Sequence, residues 1–381
     1  MIICIDVTEM IKVNYISGIQ RVIKEVTTRW IRDGRNICLL FYDSKMHAFR
    51  IVDNQKYYDY YTKNSNDKNL FSKNIMNISD FNDNHIFFDM DSVWMNPLKR
   101  SYLLPKLKKQ GTRIAAHIYD IIPVTEAQYC HEFTTLNFLE YIGAQIYNSD
   151  LIIANAKATV DAIDELIQGT EIEHINGKVV KLGSDICQSN KMKGARQEIE
   201  QIVQKGKYVL MVGTIEPRKN HKFVLEAFER SLFEKGVNLI FAGRIGWNVE
   251  GFVAHIRTHK ELNKKLFLIT NASDQDISYL YQNALVVAFP SFNEGFGLPI
   301  IEAFDHGALV LASDIPVLRE VGEGFCKYFS LKNTDQFIEE INLYLENDDE
   351  YKKDKEKIHE YKKYTWDECA NQMLLELMEM K

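Results

Sequence analysis

The chain has 381 residues, with 46 basic and 53 acidic side chains and a formal net charge of −7. This length exceeds the usual size of one domain, so we expect two domains with separate cores. The mildly acidic balance argues against nucleic acid as a partner, because binding through the overall field needs a basic surface. The composition, 46% hydrophobic and 26% charged, excludes a disordered or collagen-like chain.

The cysteines and the start of the chain indicate the compartment. No two cysteines form a C-x-x-C pair, which fits thiols of a reducing compartment better than a disulfide framework or a metal site. They are Cys4, Cys38, Cys130, Cys187, Cys326 and Cys369. The first residues, MIICIDVTEM, lack the features of a signal peptide, and no run of about 18 apolar residues is present. We therefore expect a cytoplasmic protein.

In the first half, short β-rich apolar runs alternate with segments of helical period. This pattern predicts an α/β fold with a parallel sheet covered by helices. The predicted strands are 2–7, 36–41, 85–89, 112–117, 151–154 and 178–182. Residues 52–84 are rich in Asn, Asp, Lys and Tyr and show little periodicity. We interpret them as a surface excursion that is either disordered or in contact with substrate.

The second half follows a polar stretch, 188–206, and repeats the alternation more clearly. Its predicted strands are 207–213, 238–243, 265–269, 285–290, 308–312 and 326–329. We therefore predict two Rossmann-like domains, 1–187 and 188–365. In open parallel sheets ligands bind at the carboxyl ends of strands, so the loops after the strands are the places to search for chemistry.

The segment AFPSFNEGFGLPIIE carries the clearest loop of this kind. An apolar strand ends, and Gly295-Phe296-Gly297 lead directly into Leu298-Pro299 and a helix. Proline suits the first helical turn, where its missing N–H has no partner to lose. Glycines before a helix N-terminus let backbone N–H groups approach an anion, which the helix dipole also favours. The segment predicts an anion site.

Glu294 and Glu302 bracket this glycine loop. One precedes the glycines and the other lies about one turn into the helix, so both can face one pocket. Carboxylates beside a phosphate are poor phosphate ligands but good acceptors for sugar and ribose hydroxyls. The alternative is a solvated turn without a binding role.

A second segment, MVGTIEPRKNH, ends a strand at Gly213 and places Arg218 and Lys219 at the start of the next helix. Two adjacent cations there suit a diphosphate, because arginine can fork two oxygens and lysine adds a mobile charge. The alternative is a capped helix start with solvated cations. Basic residues at a helix N-terminus oppose its dipole, and a binding role would explain their position.

These segments together resemble a known family. PSFNEGFGLPIIEAF followed by SDIPVLREVG resembles the donor-site signature of family 4 retaining glycosyltransferases of the GT-B fold. GTIEPRKNH, FAGRIGW and SDQDISYLYQNA resemble further landmarks of that family in the same order, so the resemblance covers 207–330. It implies two Rossmann-like domains facing across a cleft, a nucleotide-diphosphate sugar held mainly by the second domain, and transfer with retention at the anomeric carbon.

The resemblance also implies roles for individual residues. Arg218 and Lys219 would hold the diphosphate, Glu302 the ribose, and Glu294 with the 295–297 backbone the donor sugar. The predicted donor-binding residues are Gly18, Gly213, Arg218, Lys219, Glu294, Gly295, Phe296, Gly297, Leu298 and Glu302. The predicted catalytic residues are His117, Asp120, Arg218, Lys219 and Glu294.

The first half resembles the family less closely. DVTEMIKVNYISGIQRVIKEV is similar to the family's first strand and glycine loop, which implies Gly18 near the diphosphate. Asp120 in HIYDIIPV matches an aspartate that commonly follows a histidine, but here Tyr119 stands at the histidine position and His117 lies two residues earlier. Which of His117 and Asp120 lines the sugar pocket stays open, and a structural role is an equal alternative for His117.

Asp89 and Asp91 form an Asp-x-Asp motif after a predicted strand. Metal-dependent glycosyltransferases of the other fold hold their metal in this way. The match over 207–330 favours stabilisation of the leaving group without a metal, so we predict no metal and no cofactor. At this motif, an acceptor-side role for Asp91 or Trp94 is favoured over a metal site.

The stretch 92–113 has basic residues but no acidic one, with apolar side chains interleaved. Such a helix could rest on an anionic leaflet, and the alternative is a solvated helix beside the sheet. The basic residues are Lys99, Arg100, Lys106, Lys108, Lys109 and Arg113. The predicted partners are thus a nucleotide sugar, a glycan acceptor that is lipid-linked, and the inner face of the cell membrane.

The leading functional hypothesis is a retaining hexosyltransferase. SGIQRV and YDIIPV resemble bacterial enzymes that add mannose or rhamnose to surface polysaccharides, which favours GDP-mannose or dTDP-rhamnose as donor, with UDP-sugars next. The alternatives are a non-catalytic partner subunit and a GT-B epimerase or phosphorylase.

The end of the chain carries an apolar stripe at helical spacing. It consists of Trp366, Cys369, Met373, Leu374 and Met378. The resemblance implies that the final helix, 366–381, returns to the first domain, and the alternative is a helix packed on its own domain. The two chain crossings, near 188 and 364, would then form a hinge.

Overall fold

The structure is a computed structural model that describes residues 1–13, 15–63, 65, 69–184 and 194–380. The chain divides into two compact units. The first holds the described residues of Met1–Gly183 and Tyr364–Lys381, and the second holds those of Ser184–Lys363. The domain boundary predicted between 187 and 188, and Cys187, lie outside the described residues.

The first unit contains a sheet in the order β4-β3-β2-β1-β5-β6-β7-β8. Its strands are β1 Ile2–Asp6, β2 Ile37–Asp43, β3 Ala48–Val52, β4 Phe71–Met76, β5 His85–Asp89, β6 Arg113–Ile118, β7 Leu151–Ala154 and β8 Gly177–Val179. The strands from β2 through β1 to β8 run parallel, whereas β3 and β4 add an antiparallel edge beside β2. The central strand β1 is apolar from Ile2 to Ile5 because helices cover both faces of the sheet.

The helices of the first unit follow the strands and bury one face each. They are α1 Thr8–Lys12, α2 Gly18–Arg32, α3 Asn54–Lys63, α4 Arg100–Lys109, α5 Ile122–Thr125, α6 Glu132–Asn148 and α7 Lys157–Leu166. In α2, for example, Val22, Ile23, Val26 and Trp30 are buried at the spacing of one helical face.

The second unit contains a fully parallel sheet in the order β11-β10-β9-β12-β13-β14. Its strands are β9 Tyr208–Val212, β10 Asn238–Ala242, β11 Leu266–Ile269, β12 Val286–Phe289, β13 Val310–Ser313 and β14 Lys327–Phe329. Its helices are α8 Gln197–Val203, α9 His221–Ala227, α10 Glu250–Thr258, α11 Asp274–Asn283, α12 Leu298–Asp305, α13 Pro316–Gly322, α14 Asp335–Glu346 and α15 Asp348–Ile358. The strand order reverses beside β9, which is where an open sheet of this type leaves a crevice for a ligand.

Every predicted strand is present, so the α/β prediction is confirmed. The interpretation of 52–84 as an excursion is wrong, because this stretch holds α3 and the edge strand β4. Tyr57 of α3 is fully buried, whereas Lys73, Asn74 and Ile75 in the middle of β4 are exposed. An edge strand of this kind needs few apolar residues, and the sequence therefore shows no clear period.

The last helix, α16 (Trp366–Met378), packs on the first unit. Thr365 and Glu368 form a reciprocal cap at its N-terminus, and Trp30 of α2 donates its indole N–H to the Ala370 carbonyl at 2.9 Å. Asp367 accepts from Arg32 at 2.7 Å.

The buried stripe of α16 differs in part from the predicted one. Trp366, Cys369 and Met373 are buried as expected, but Met378 is exposed and Leu377 takes the inward position. The stripe follows 3.6 residues per turn over the whole helix, which moves the inward face from 378 to 377.

The chain leaves and re-enters the first unit at one place. A Cβ atom on Gly183 would lie 2.3 Å from the Trp366 backbone nitrogen. The segment that leads out of the first unit therefore touches the start of α16, and only glycine fits there.

None of the helices in the described part of the chain is long and apolar enough to span a bilayer.

Candidate active site

Two predicted motifs meet at the carboxyl edge of the second sheet. Strands β9 and β12 are direct neighbours, with Val209 opposite Val286. The backbone N–H of Phe292, in the loop after β12, donates to the Arg218 carbonyl at 2.9 Å. The loops after β9 and β12 are therefore joined, and residues far apart in sequence share one site.

Arg218 and Lys219 stand in one 3-10 turn, Pro217–Lys219, and both contact Glu294. Arg218 Nη1 lies 2.8 Å from Glu294 Oε2, and Lys219 Nζ lies 2.6 Å from Glu294 Oε1. Arg218 Nη2 also donates to Glu216 Oε1 at 2.5 Å. We refer to Glu216, Arg218, Lys219 and Glu294 as the second-unit ion cluster. The two cations remain 16% and 12% exposed, so an anion from solvent can reach them.

The charges of this cluster set the protonation of its carboxylates. Burial alone would raise the pKa of Glu294, but the neighbouring Arg218 and Lys219 outweigh burial and lower the pKa to about 2. For Glu216, burial raises the pKa and the two cations offset it only in part. Glu294 is thus an anion at all ordinary pH values and serves as a hydrogen-bond acceptor, not as an acid.

The glycine loop delivers the N-terminus of α12 beside the cluster. Gly297 is the residue before α12 and has φ of 109°, a left-handed conformation that favours glycine. A Cβ atom there would lie 3.2 Å from Leu318 Cδ2. Gly295 and Phe296 are buried, and Leu298 begins the helix. The first turn of α12 has backbone N–H groups without helical partners, which is the feature that the predicted anion site requires.

Asn293 links the loop to the cluster, which the sequence analysis did not foresee. Its carbonyl accepts from Arg218 Nη1 at 2.5 Å, and its side-chain oxygen accepts from the Glu294 backbone N–H at 2.8 Å. Asn293 therefore fixes both partners of the ion pair.

Glu302 lies one turn into α12 and is buried. The Tyr281 hydroxyl of α11 donates to Glu302 Oε2 at 3.1 Å, and the Tyr281 ring stacks on His306. The carboxylate is thus oriented from a second helix. This partner could not be predicted from the sequence, because Tyr281 lies in a different motif.

Gly213 directly follows β9 and has a φ of 140°. It contacts the loop after β10. A Cβ atom on Gly243 would lie 1.8 Å from the Gly213 carbonyl oxygen. The two backbones can approach this closely only with glycine at 243. The glycines of FAGRIGW are the sequence feature that points to this close approach of two backbones.

In the first unit, His117 and Asp120 differ in burial and in their hydrogen-bond partners. His117 is buried in β6, its Nε2 lies 2.6 Å from Asn155 Oδ1, and burial lowers its pKa to about 4. Asp120 is half-buried beyond the strand, and its Oδ1 accepts from the Ile122 backbone N–H at 3.0 Å. Tyr119 stacks on the His117 ring.

The orientation of His117 follows from its neighbours in β6. Ala116 and Ile118 pack in the cluster with Phe138 of α6. Side chains alternate along a strand, so His117 points to the opposite side of the sheet. This placement favours the structural alternative for His117 and leaves Asp120 as the more accessible of the two.

Gly18 is the exposed first residue of α2. It belongs to the first unit, whereas the second-unit ion cluster belongs to the other.

The Asp-x-Asp alternative for a metal does not fit the carboxylates. Asp89 accepts from Arg100 Nε at 2.6 Å and from Arg100 Nη2 at 2.9 Å. Asp91 accepts the backbone N–H groups of Met10 and Ser92 at 2.8 and 2.7 Å. Both side chains are buried, so they hold the protein together at the end of β5.

Within the stretch 92–113, helix α4 buries one face and exposes the other. Leu103, Leu104 and Leu107 of α4 are fully buried, and so is Arg100. Trp94 packs on Phe138 at a ring distance of 5.2 Å. The leucines of α4 therefore belong to the core, whereas Tyr102, Lys106, Lys108 and Lys109 are exposed. Contact of this stretch with a membrane stays a prediction.

Comparison with solved structures extends the description to the whole chain. HepE of Anabaena, solved in complex with UDP and glucose, has a TM-score of 0.67 and 14% identity over 99% of both chains. Sucrose-phosphate synthase of Thermosynechococcus elongatus has a TM-score of 0.66 and 13% identity, over 99% of this chain and 98% of its own. These likenesses, with two Rossmann-like units, define the GT-B fold.

A family match covers the second unit. Residues 193–364 match the family described as glycosyl transferases group 1. This match agrees with the family resemblance that the sequence shows over 207–330.

Curated relatives name one sugar repeatedly. The serotype-specific mannosyltransferase WbdA of Escherichia coli is 30% identical over 266 residues, which cover 65% of this chain and 32% of WbdA. The O-antigen chain mannosyltransferase B of Escherichia coli is 35% identical over 116 residues, 30% of each chain. The matches thus span about a third of each relative's own length.

Proposed function

We propose that the chain is a retaining hexosyltransferase that moves mannose from a nucleotide-diphosphate sugar to a hydroxyl of a growing surface glycan. The observation that carries the proposal is the pair Arg218 and Lys219, which are mostly buried and are held by Glu294 in the loop that leads into α12. The names of the mannosyltransferase and O-antigen relatives support mannose and a surface polysaccharide. GDP-mannose is accordingly the first donor to test, then dTDP-rhamnose and UDP-sugars.

In this proposal the second-unit ion cluster stabilises the leaving group. As the bond between the anomeric carbon and the phosphate oxygen breaks, negative charge develops on the diphosphate. Arg218, Lys219 and the first-turn N–H groups of α12 are already in place to stabilise it. We propose that these groups of the chain, and not a metal ion, supply the stabilisation.

The two glutamates would orient the donor. Glu294 is an anion held by both cations, so it accepts hydrogen bonds from hexose hydroxyls while the cations turn to the diphosphate. Glu302, fixed by Tyr281, would accept from the ribose hydroxyls. Neither residue needs to act as a nucleophile.

Retention then follows from attack on the face that the leaving group departs from. The acceptor oxygen forms its bond to the anomeric carbon, the bond to the phosphate oxygen breaks, and the departing phosphate oxygen takes the acceptor proton. On the acceptor side we propose a lipid-linked glycan, with Asp120 as the residue of the first unit that is placed to contact a sugar.

The test is a donor panel with the purified full chain. GDP-mannose, dTDP-rhamnose and UDP-glucose are each incubated with and without EDTA, and release of the nucleoside diphosphate is measured. The anomeric configuration of any transferred sugar is read by NMR. Retention with GDP-mannose, unaffected by EDTA, is expected.

Other outcomes of the panel would overturn the proposal. An epimerised sugar without transfer indicates an epimerase, and dependence on inorganic phosphate indicates a phosphorylase. Absence of thermal stabilisation by GDP, dTDP and UDP indicates a non-catalytic partner subunit.

A further inference from the structure

Helix α6 exposes a row of large apolar side chains. Phe133, Leu136, Leu139 and Tyr147 are 66%, 58%, 43% and 65% exposed. At 3.6 residues per turn they lie on one side of the helix, opposite the buried Phe138 and Tyr141 face. Single exposed apolar residues are ordinary, but a continuous group marks an interaction surface.

Helix α4 runs beside helix α6. The Ser101 backbone N–H donates to Glu140 Oε1 at 2.8 Å, and Lys108 Nζ donates to the Asn148 carbonyl at 3.1 Å. The two helices therefore run side by side in the same direction. Their outer sides form one surface.

The outer side of α4 is basic and aromatic. Tyr102 is 55% exposed, and Lys106 Nζ lies 3.6 Å from the centre of its ring. Lys108 and Lys109 are exposed as well. We define the α4–α6 face as Tyr102, Lys106, Lys109, Phe133, Leu136, Leu139 and Tyr147.

Acidic groups near this face are largely engaged elsewhere. Glu140 accepts from Ser101. Asp150 pairs with Lys108 at 3.3 Å and accepts from the Ile114 backbone N–H at 2.9 Å. Glu132 stands in the first turn of α6, where its charge suits the helix dipole. Lys106 and Lys109 thus remain as cations beside the apolar row.

We propose that the α4–α6 face lies on an anionic bilayer surface. Phenylalanine and leucine would enter the boundary between head groups and acyl chains, tyrosine would sit at head-group depth, and the lysines would meet anionic lipids. A second copy fits less well, because two-fold pairing brings the lysines of both copies into one interface. The proposal rests on the proposed function only in supplying a reason for membrane contact, namely a lipid-linked acceptor.

The test is co-sedimentation of the full chain with vesicles. Vesicles of phosphatidylglycerol and phosphatidylcholine are compared with vesicles of phosphatidylcholine alone, at low and physiological salt. The wild-type chain is expected to bind the anionic vesicles. The triple variant Phe133→Ser, Leu136→Ser, Tyr147→Ser should bind at least tenfold more weakly, and Lys106→Gln with Lys109→Gln at least fivefold more weakly and with less salt dependence.

A matched control uses exposed apolar residues elsewhere in the first unit. Met46→Ser with Ile75→Ser changes side chains that are exposed to a similar degree and should bind vesicles like wild type. Thermal midpoints, and donor hydrolysis without vesicles, should be unchanged in all variants. These readouts show that the variants fold, and they separate this proposal from the proposed function.

Three results would overturn the proposal. The first is wild-type protein that stays in the supernatant with anionic vesicles. The second is a triple variant that binds them as wild type does. The third is a triple variant that turns a dimer into a monomer in gel filtration while vesicle binding persists, which would assign the face to a second copy.

Discussion

Each unit holds charged side chains at the carboxyl edge of its sheet, and the two groups differ in burial. In the first unit Arg100 bridges Asp6 and Asp89, the last residues of the neighbouring strands β1 and β5. Gln145 adds a hydrogen bond to Asp89 at 2.5 Å. All of these side chains are buried. Because every charge is enclosed, the group can hold strands together but cannot meet a ligand.

The second-unit ion cluster has similar chemistry but keeps Arg218 and Lys219 partly exposed. Its cations are paired with carboxylates, and under the proposed function they would exchange these partners for a diphosphate. The two groups thus have similar residue types but differ in their access to solvent.

The largest effect is expected for Arg100→Ala. The substitution leaves Asp6 and Asp89 buried without their cation, which costs about 3–5 kcal/mol. Urea denaturation of the full chain measures the loss. Combining Arg100→Met with Asp6→Asn and Asp89→Asn should recover part of it, whereas Lys106→Ala on the same helix should change little. Full stability of Arg100→Ala would show that the buried charges do not depend on each other.

Next come Arg218→Ala and Lys219→Ala, which we expect to lower kcat by about 10²–10³-fold each, because a preorganised charge at the leaving group is lost. Steady-state release of the nucleoside diphosphate measures this effect, and circular dichroism checks the fold. The control is Lys222→Ala, whose side chain is 77% exposed. Near-wild-type turnover of both site variants would remove the phosphate site from the proposal.

One buried carboxylate in each unit, Asp91 and Glu294, should contribute to stability with opposite pH dependence. Burial raises the pKa of Asp91 to about 7. Its contribution to stability is therefore complete below its unfolded pKa, near 3.8, and is lost as pH rises through 7. Glu294 has its pKa lowered to about 2, so its contribution is complete above its unfolded pKa, near 4.5, and is lost as pH falls through 2.

Hydrogen exchange of each unit across pH measures this difference, with an expected size of a few kcal/mol. Asp91→Asn should flatten the profile of the first unit between pH 4 and 7 and leave the second unchanged. If Asp91→Asn left the profile of the first unit unchanged between pH 4 and 7, the assignment to Asp91 would be contradicted.

The smallest effects concern two helix caps of the same type. Thr365 caps α16 and Ser273 caps α11, each in a reciprocal arrangement with an acidic residue. Thr365→Ala and Ser273→Ala should each cost about 1 kcal/mol. Hydrogen exchange should report the first loss in the first unit and the second loss in the second. If Thr365→Ala loosened the second unit instead, α16 would not belong to the first.

The sequence predicted the second unit better than the first because its signals are local. The loop around Gly297 and the pair Arg218 and Lys219 each lie within one short segment, where strand, turn and helix follow one another. Strand alternation and helix-start residues are sufficient there. The joining of the two loops at β9 and β12 follows from the carboxyl-edge rule for parallel sheets.

What the sequence could not show depends on partners from distant parts of the chain. From the sequence, Arg100 is one of several cations in a basic helix. Its buried ion pairs with Asp6 and Asp89 depend on the pairing of β1 with β5, which the sequence does not show. Tyr281 reaches Glu302 from another helix. The edge strand β4 lacks a period, because water covers much of it.

The contact between Gly183 and Trp366 makes the second unit an insertion within the first. The order of synthesis then matters for folding. The second unit is continuous in sequence, and all of it has been synthesised once residue 363 has left the ribosome. In the first unit, Trp30 can donate its hydrogen bond only after Ala370 has been synthesised. The N-terminal unit is therefore made first but finished last, and until then its α2 surface needs protection from aggregation.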